Sequence, residues 1–205
     1  MSLILAGGNK DFMIVGGEQR VLNKAGMVIS EHYRKVFKIN EDFIVAFAGK
    51  VRYCEEILKP VLERKGEKGH PLTNAELVDL IEKRAKGAKE RLEETKEDCF
   101  FGIIVCGKTF HGRPKDPKNN PYFMQLYTYD GDLSISKKTF RDSGISWAAL
   151  YGNRYNHKKV CKELFVRKKA LNLKDTREVF DQTFMNGARH DKTMNNKVLY
   201  EILED

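Results

Sequence analysis

Proline and cysteine are scarce in this chain of 205 residues, at five and four, and there is a single tryptophan. The cysteines, Cys54, Cys99, Cys106 and Cys161, form no Cys-x-x-Cys pair, and three sit in strongly apolar stretches. Neither a disulfide framework nor a zinc site is expected, and a reducing, cytoplasmic setting fits. No apolar run approaches the roughly 20 residues that a membrane helix needs. The longest strong one, Phe100 to Cys106, is strand-sized, so no membrane association is expected. Met1 to Ile4 has neither a basic flank nor a long apolar stretch, and no secretory signal is read there. Phosphate-binding glycine loops, the Gly-x-Ser-x-Gly elbow and His-Glu-x-x-His are all missing. The five histidines (His32, His70, His111, His157, His190) lie scattered in polar segments and read as solvated surface. No metal and no cofactor is expected.

Apolar residues make up 41% and charged residues 32%, which is the profile of a soluble globular protein of one domain spanning 1–205. Basic residues outnumber acidic ones, 37 to 29. Much of the excess is local, because Arg154 to Lys174 holds eight basic residues against Glu163 alone. Such a stretch is either a solvated helix face or a surface for nucleic acid or an acidic partner. No aromatic interleaving or RNA-binding motif accompanies it, so nucleic acid is not the expected partner.

Period-2 patterning predicts a hairpin of Leu3 to Gly8 and Phe12 to Glu18 around Asn9-Lys10-Asp11, and a second of Lys35 to Ile39 and Phe43 to Ala48. After Gly49 the period becomes helical, with Val51, Cys54, Leu58, Val61 and Leu62 on one stripe, ended by Gly66, Gly69 and Pro71. Thr73 and Glu76 form a capping box that opens a second helix. Cys99 to Cys106 reads as a central strand. A basic loop from Lys108 to Asn120 leads to a hairpin of Tyr122 to Tyr129 and Leu133 to Ser136 around Asp130-Gly131-Asp132. Trp147, Leu150 and Tyr151 are spaced as on a helix, another helix is expected over Asp175 to Ala188, and Lys197 to Leu203 closes the chain as a strand. Blocks of strands and helices in this order argue for a layered α+β domain, two stacked sheets with helix pairs outside.

Chemistry concentrates in the N-terminal half. Ser2 opens the first strand, Glu18 and Arg20 end the second, Lys35 starts the third and Gly49 ends the fourth; such strand ends can converge at one sheet edge. An N-terminal serine can supply both a nucleophilic hydroxyl and, through its own α-amine, the base. A lysine nearby favours the alkoxide, a carboxylate orients that lysine, and a glycine N–H can bind an oxyanion. The bland alternative is a frayed Ser2, a surface pair of Glu18 and Lys35, and a plain turn at Gly49.

KDFMIVGGEQRV (Lys10 to Val21) and RKVFKINEDFIVAFAG (Arg34 to Gly49), with the helix that follows, resemble proteasome β-type subunits and the bacterial HslV-type proteases, which are N-terminal nucleophile hydrolases. The resemblance implies an αββα sandwich. It places Ser2 at the threonine nucleophile, Glu18 at the carboxylate, Arg20 at a structural arginine, Lys35 at the activating lysine and Gly49 at the oxyanion glycine. It places Asp191, in Ala188-Arg189-His190-Asp191, at the second aspartate of the site, holding Lys35 and the amine together with Glu18. It also places Asp142-Ser143-Gly144-Ile145-Ser146 at a Ser-Gly-rich turn, with Ser146 near the site. A peptide or protein substrate, a homo-oligomeric ring and an ATPase unfoldase partner are implied with it, as is threonine/serine-type peptidase activity.

The departures leave a second reading open, a catalytically inactive proteasome-like scaffold subunit. Serine replaces threonine, Ile145 stands where a serine is expected, and Lys192-Thr193-Met194 lacks the matching serine. Met1 precedes Ser2, so the Ser2 nitrogen is an amide until Met1 is removed, as aminopeptidases do before serine; alternatively Met-Ser-Leu is an expression leader.

Overall fold

The computed structural model describes residues 2–23, 25–64, 72–109, 121–151 and 156–204. The expected helix stop at Gly66, Gly69 and Pro71, most of the basic loop before Pro121, and Arg154 lie outside them.

Four layers stack in the order helices, sheet, sheet, helices. One sheet is formed by β1 (Leu3–Gly8), β2 (Phe12–Glu18), β10 (Ser146–Tyr151) and β11 (Val198–Glu204), in the order β10-β1-β2-β11 and antiparallel throughout. The other runs β5-β6-β7-β8-β9 and comprises β5 (Val36–Asn40), β6 (Phe43–Gly49), β7 (Phe100–Lys108), β8 (Tyr122–Asp130) and β9 (Leu133–Phe140). A small ribbon of β3 (Val21–Leu22) and β4 (Val28–Ser30), which hydrophobic patterning does not reveal, stands outside both sheets. Among the described residues no helix is long and apolar enough to cross a membrane.

Alternation along the strands decides what fills each interlayer. Ile4, Ala6, Met13 and Val15 turn inward to meet Val36, Ile44, Ala46, Ile104 and Cys106 between the sheets. The alternate residues Leu3, Leu5, Phe12 and Ile14 pack on α3 (His157–Lys168) and α4 (Leu173–His190) through Cys161, Val179, Phe180 and Phe184. On the far side, Phe43, Val45, Phe47, Phe101 and Ile103 meet α1 (Val51–Leu62) and α2 (Asn74–Thr95). Both sheets are thus covered on both faces. Each fully buried aliphatic side chain in these layers contributes about 1.5–3 kcal/mol of transfer free energy. The capping box at Thr73 and Glu76 is formed in full.

One element differs from expectation. Ser146 to Tyr151 is not helical but is strand β10. Trp147, Ala149 and Tyr151 face the α3/α4 layer while Ala148 and Leu150 face the other sheet, so neither face is polar and the period of two is hidden. The helix expected there begins instead at His157, capped by the Asn156 side chain.

Candidate active site

The site is assembled where the two sheets meet at the ends of β1, β2 and β5. The β1–β2 register pairs Ile4 with Gly17, which brings Ser2 alongside the residues that follow Glu18. Gly17 allows the second sheet to approach, since a Cβ there would lie 2.7 Å from the Val36 side chain. Lys35 immediately precedes β5 and is fixed by its carbonyl, which accepts the Phe47 N–H at 3.1 Å.

Lys35 is 1% exposed, Glu18 0% and Ser2 8%. The Lys35 Nζ donates to Glu18 Oε1 at 2.6 Å, to Ser2 Oγ at 2.8 Å and to the Arg20 carbonyl at 2.5 Å. An ammonium has three N–H groups and no acceptor, so these three partners satisfy it. The other Glu18 oxygen accepts the Arg20 N–H at 2.7 Å. Burial pushes the Lys35 ammonium below the ordinary lysine range, against the opposing pull of Glu18. Burial likewise raises the Glu18 carboxyl, against the pull of Lys35. A lysine destabilised as a cation and touching a hydroxyl is suited to exchange a proton with it.

Gly49 ends β6, two residues beyond the Phe47 that pairs with Lys35. Its φ is +102°, and a Cβ would lie 2.3 Å from the Phe100 carbonyl oxygen, so only glycine fits without displacing backbone. The strand thereby turns at the site's edge.

Arg20 braces the site from outside. Its guanidinium bonds Glu31 through Nε at 3.1 Å and donates to the Lys192 carbonyl at 2.7 Å. Glu31 also accepts from Asn195 Nδ2 at 2.6 Å, and Asn195 Oδ1 accepts the Gln19 N–H at 3.4 Å. These bonds to Asn195 and Arg20 hold the Glu31 carboxyl below its usual range. Sequence reasoning did not single out Glu31 or Asn195, because nothing in their local spacing announces a contact across 164 residues of chain.

Asp191 caps the end of α4 and is 8% exposed. Its Oδ1 accepts the Thr193 N–H at 2.9 Å and the Thr193 hydroxyl at 2.5 Å. Its Oδ2 lies 3.8 Å from His157 Nε2. The Lys35 hydrogen bonds go to Glu18, Ser2 and Arg20, and Asp191 does not clamp that ammonium directly. His157 is 1% exposed, which overturns its reading as solvated surface.

The structure therefore brings Ser2, Glu18, Lys35 and the Arg20 backbone together, with Gly49 on the adjoining strand. It does not bring Ser146 to them. Ser146 pairs with Gly8, whereas Tyr151 pairs with Leu3. Because β10 is antiparallel to β1, the turn at Asp142 to Ser146 lies at the far end of β1, where Asn9 Nδ2 and Lys10 N bond the Ser143 and Asp142 carbonyls.

No family model matches the chain, and neither does any curated protein. Solved structures do. Eukaryotic HslV from Trypanosoma brucei aligns over 99% of both chains with a TM-score of 0.55 at 14% identity. Anbu, an ancestral beta-subunit, from Yersinia bercovieri aligns over 98% of this chain and 81% of its own, with a TM-score of 0.66 at 12% identity. The Anbu complex from Pseudomonas aeruginosa, solved as a helical assembly, covers the same shares with a TM-score of 0.66 at 15% identity. The fold is proteasome-like. At identities this low the likeness shows the fold alone.

Proposed function

We propose that the chain is a subunit of a proteasome-like assembly and hydrolyses peptide bonds as an N-terminal nucleophile enzyme. The observation that carries the proposal is the contact of the Lys35 Nζ with the Ser2 hydroxyl at 2.8 Å, with Glu18 behind it at 2.6 Å, in a pocket where none of the three is appreciably solvated. Removal of Met1 frees the Ser2 α-amine, whose pKa near 7.7–8.0 makes it an effective base at neutral pH. Ser2 Oγ attacks the substrate carbonyl carbon and its proton passes to the α-amine, with Lys35 lowering the hydroxyl's pKa. The Gly49 N–H stabilises the oxyanion. The peptide C–N bond breaks, the leaving amine takes the proton, and an ester remains on Ser2. Water then hydrolyses that ester and restores the hydroxyl.

Glu18 keeps Lys35 in place, and Arg20 holds Glu18 and the loop that carries Glu31. The substrate is a peptide or unfolded protein, the working form a homo-oligomer, and an ATPase unfoldase would be its partner. Four buried free cysteines suit a reducing cytoplasm.

A scaffold without activity is the second reading. It is favoured by Ser146, which pairs with Gly8 and so stands at the far end of β1 from Ser2. Fluorogenic peptide hydrolysis decides between the two, measured with Met1 removed and with Met1 retained. Turnover only in the Met1-free chain, lost in Ser2→Ala and in Lys35→Ala while sedimentation shows the same assembly, supports the enzyme. Turnover that persists in Ser2→Ala, or is absent throughout, overturns it.

A further inference from the structure

His157 is a buried titratable group with no part in the proposed mechanism. It begins α3 and lies against α4, where a Cβ at position 187 would stand 2.8 Å from its Cε1, so Gly187 makes the room for the ring. The Tyr151 ring meets it edge-on at 5.6 Å, and Tyr151 is the β10 residue that pairs with Leu3, next to Ser2. The imidazole is thus wedged between β10 and α4 at the nucleophile's end of β1. Its Nε2 points toward Asp191 Oδ2, the oxygen that Thr193 leaves without a partner from its own side chain or N–H.

Burying an imidazole is costly where an aliphatic side chain would fill the same space, and burying a carboxylate is costlier still unless polar groups surround it. Asp191 has Thr193 on one oxygen and the ring edge on the other. We propose that His157 is a positioning residue of the Ser2 site, fixing the Asp191 carboxylate from the side opposite Thr193. The inference rests on the reading of Ser2 as nucleophile. It assigns Asp191 an indirect role in place of the direct hold on Lys35 that the resemblance implied: the carbonyl of the adjoining Lys192 accepts from the Arg20 guanidinium, and the Arg20 backbone in turn bonds Lys35 and Glu18.

Two variants of the full-length, Met1-free chain separate positioning from packing. His157→Gln keeps an N–H near the Nε2 position, and His157→Leu keeps bulk without a donor. Peptide hydrolysis is expected to retain kcat in His157→Gln and to lose roughly ten-fold in kcat, with KM little changed, in His157→Leu. Equal losses in both variants, or losses that follow their melting temperatures, would overturn the proposal. Side-chain NMR supplies a readout independent of activity. The imidazole titration of His157 is expected at lower pH in Asp191→Asn than in the parent, because a neighbouring anion that favours the imidazolium is removed; an unmoved midpoint contradicts the coupling. Labelling of Ser2 by a peptide epoxyketone, scored in the same samples, keeps the two claims apart: a labelled Ser2 with unmoved His157 titration defeats the positioning role alone, and an unlabelled Ser2 with coupled His157 and Asp191 defeats the nucleophile reading and with it the positioning role, leaving only the contact between the two side chains.

Discussion

Glu18 and Lys35 face each other at 2.6 Å with neither side chain reaching solvent, one at the end of a strand in the first sheet and the other at the start of a strand in the second. The pair spans the interface between the sheets, so its energetics bear on the fold as well as on the chemistry. Removing one member strands the other's charge in an apolar layer. Glu18→Ala is expected to cost about 3–5 kcal/mol in urea denaturation. Replacing both residues at once, as Glu18→Leu with Lys35→Met, is expected to cost less than Glu18→Ala alone, because no charge is left uncompensated.

Gly49→Ala meets two obstacles: a positive φ and a carbonyl oxygen 2.3 Å from the new methyl group. The backbone conformation alone costs about 1–2 kcal/mol. The variant is expected to melt at lower temperature and to lose turnover out of proportion to its folded fraction, since a shift of β6 displaces the N–H proposed to bind the oxyanion. Circular dichroism and peptide hydrolysis on the same sample check both.

Ser146→Ala is expected to leave hydrolysis unchanged. Ser146 pairs with Gly8, and with about 3.4 Å per residue along the strand it stands roughly 17 Å from the Leu3 end. A large loss of kcat in this variant would contradict the placement of the site.

Stability should fall on the acid side because of His157. Burial holds its pKa below the ordinary value of 6.5, against the pull of Asp191. The unfolded chain therefore binds a proton near pH 6.5 that the folded chain resists. Proton uptake favours unfolding as pH drops below 6.5, and stability is regained as pH rises through that range. Denaturation midpoints measured between pH 5 and 7 should show this slope, and it should be weaker in His157→Gln.

Much of the fold was legible because the signals are local. The Asn9-Lys10-Asp11 turn, the Thr73–Glu76 capping box and the apolar run of β7 each report a structure completed within a few residues. Strand β10 was misread because Trp147, Leu150 and Tyr151 satisfy helical spacing, and burial on both faces erases the polar alternation that marks a strand. The strand ends offered Ser2, Glu18, Lys35 and Gly49 as one candidate cluster, and the resemblance favoured it over the bland alternative. Ser2, Glu18 and Lys35 are far apart in sequence, and their meeting depends on how one sheet stacks on the other. The clamp of Arg20 on Glu31, its link to Asn195, and the seat of His157 against Asp191 left no pattern in the sequence, since each joins segments set together only by the layers.

The most direct test of the central claim is the intact mass of the Met1-free chain after treatment with a peptide epoxyketone, followed by fragment mapping. One adduct per chain, mapped to Ser2, is expected, and none in Lys35→Ala. No adduct on a folded, Met1-free chain, or an adduct mapped to another residue, would contradict it.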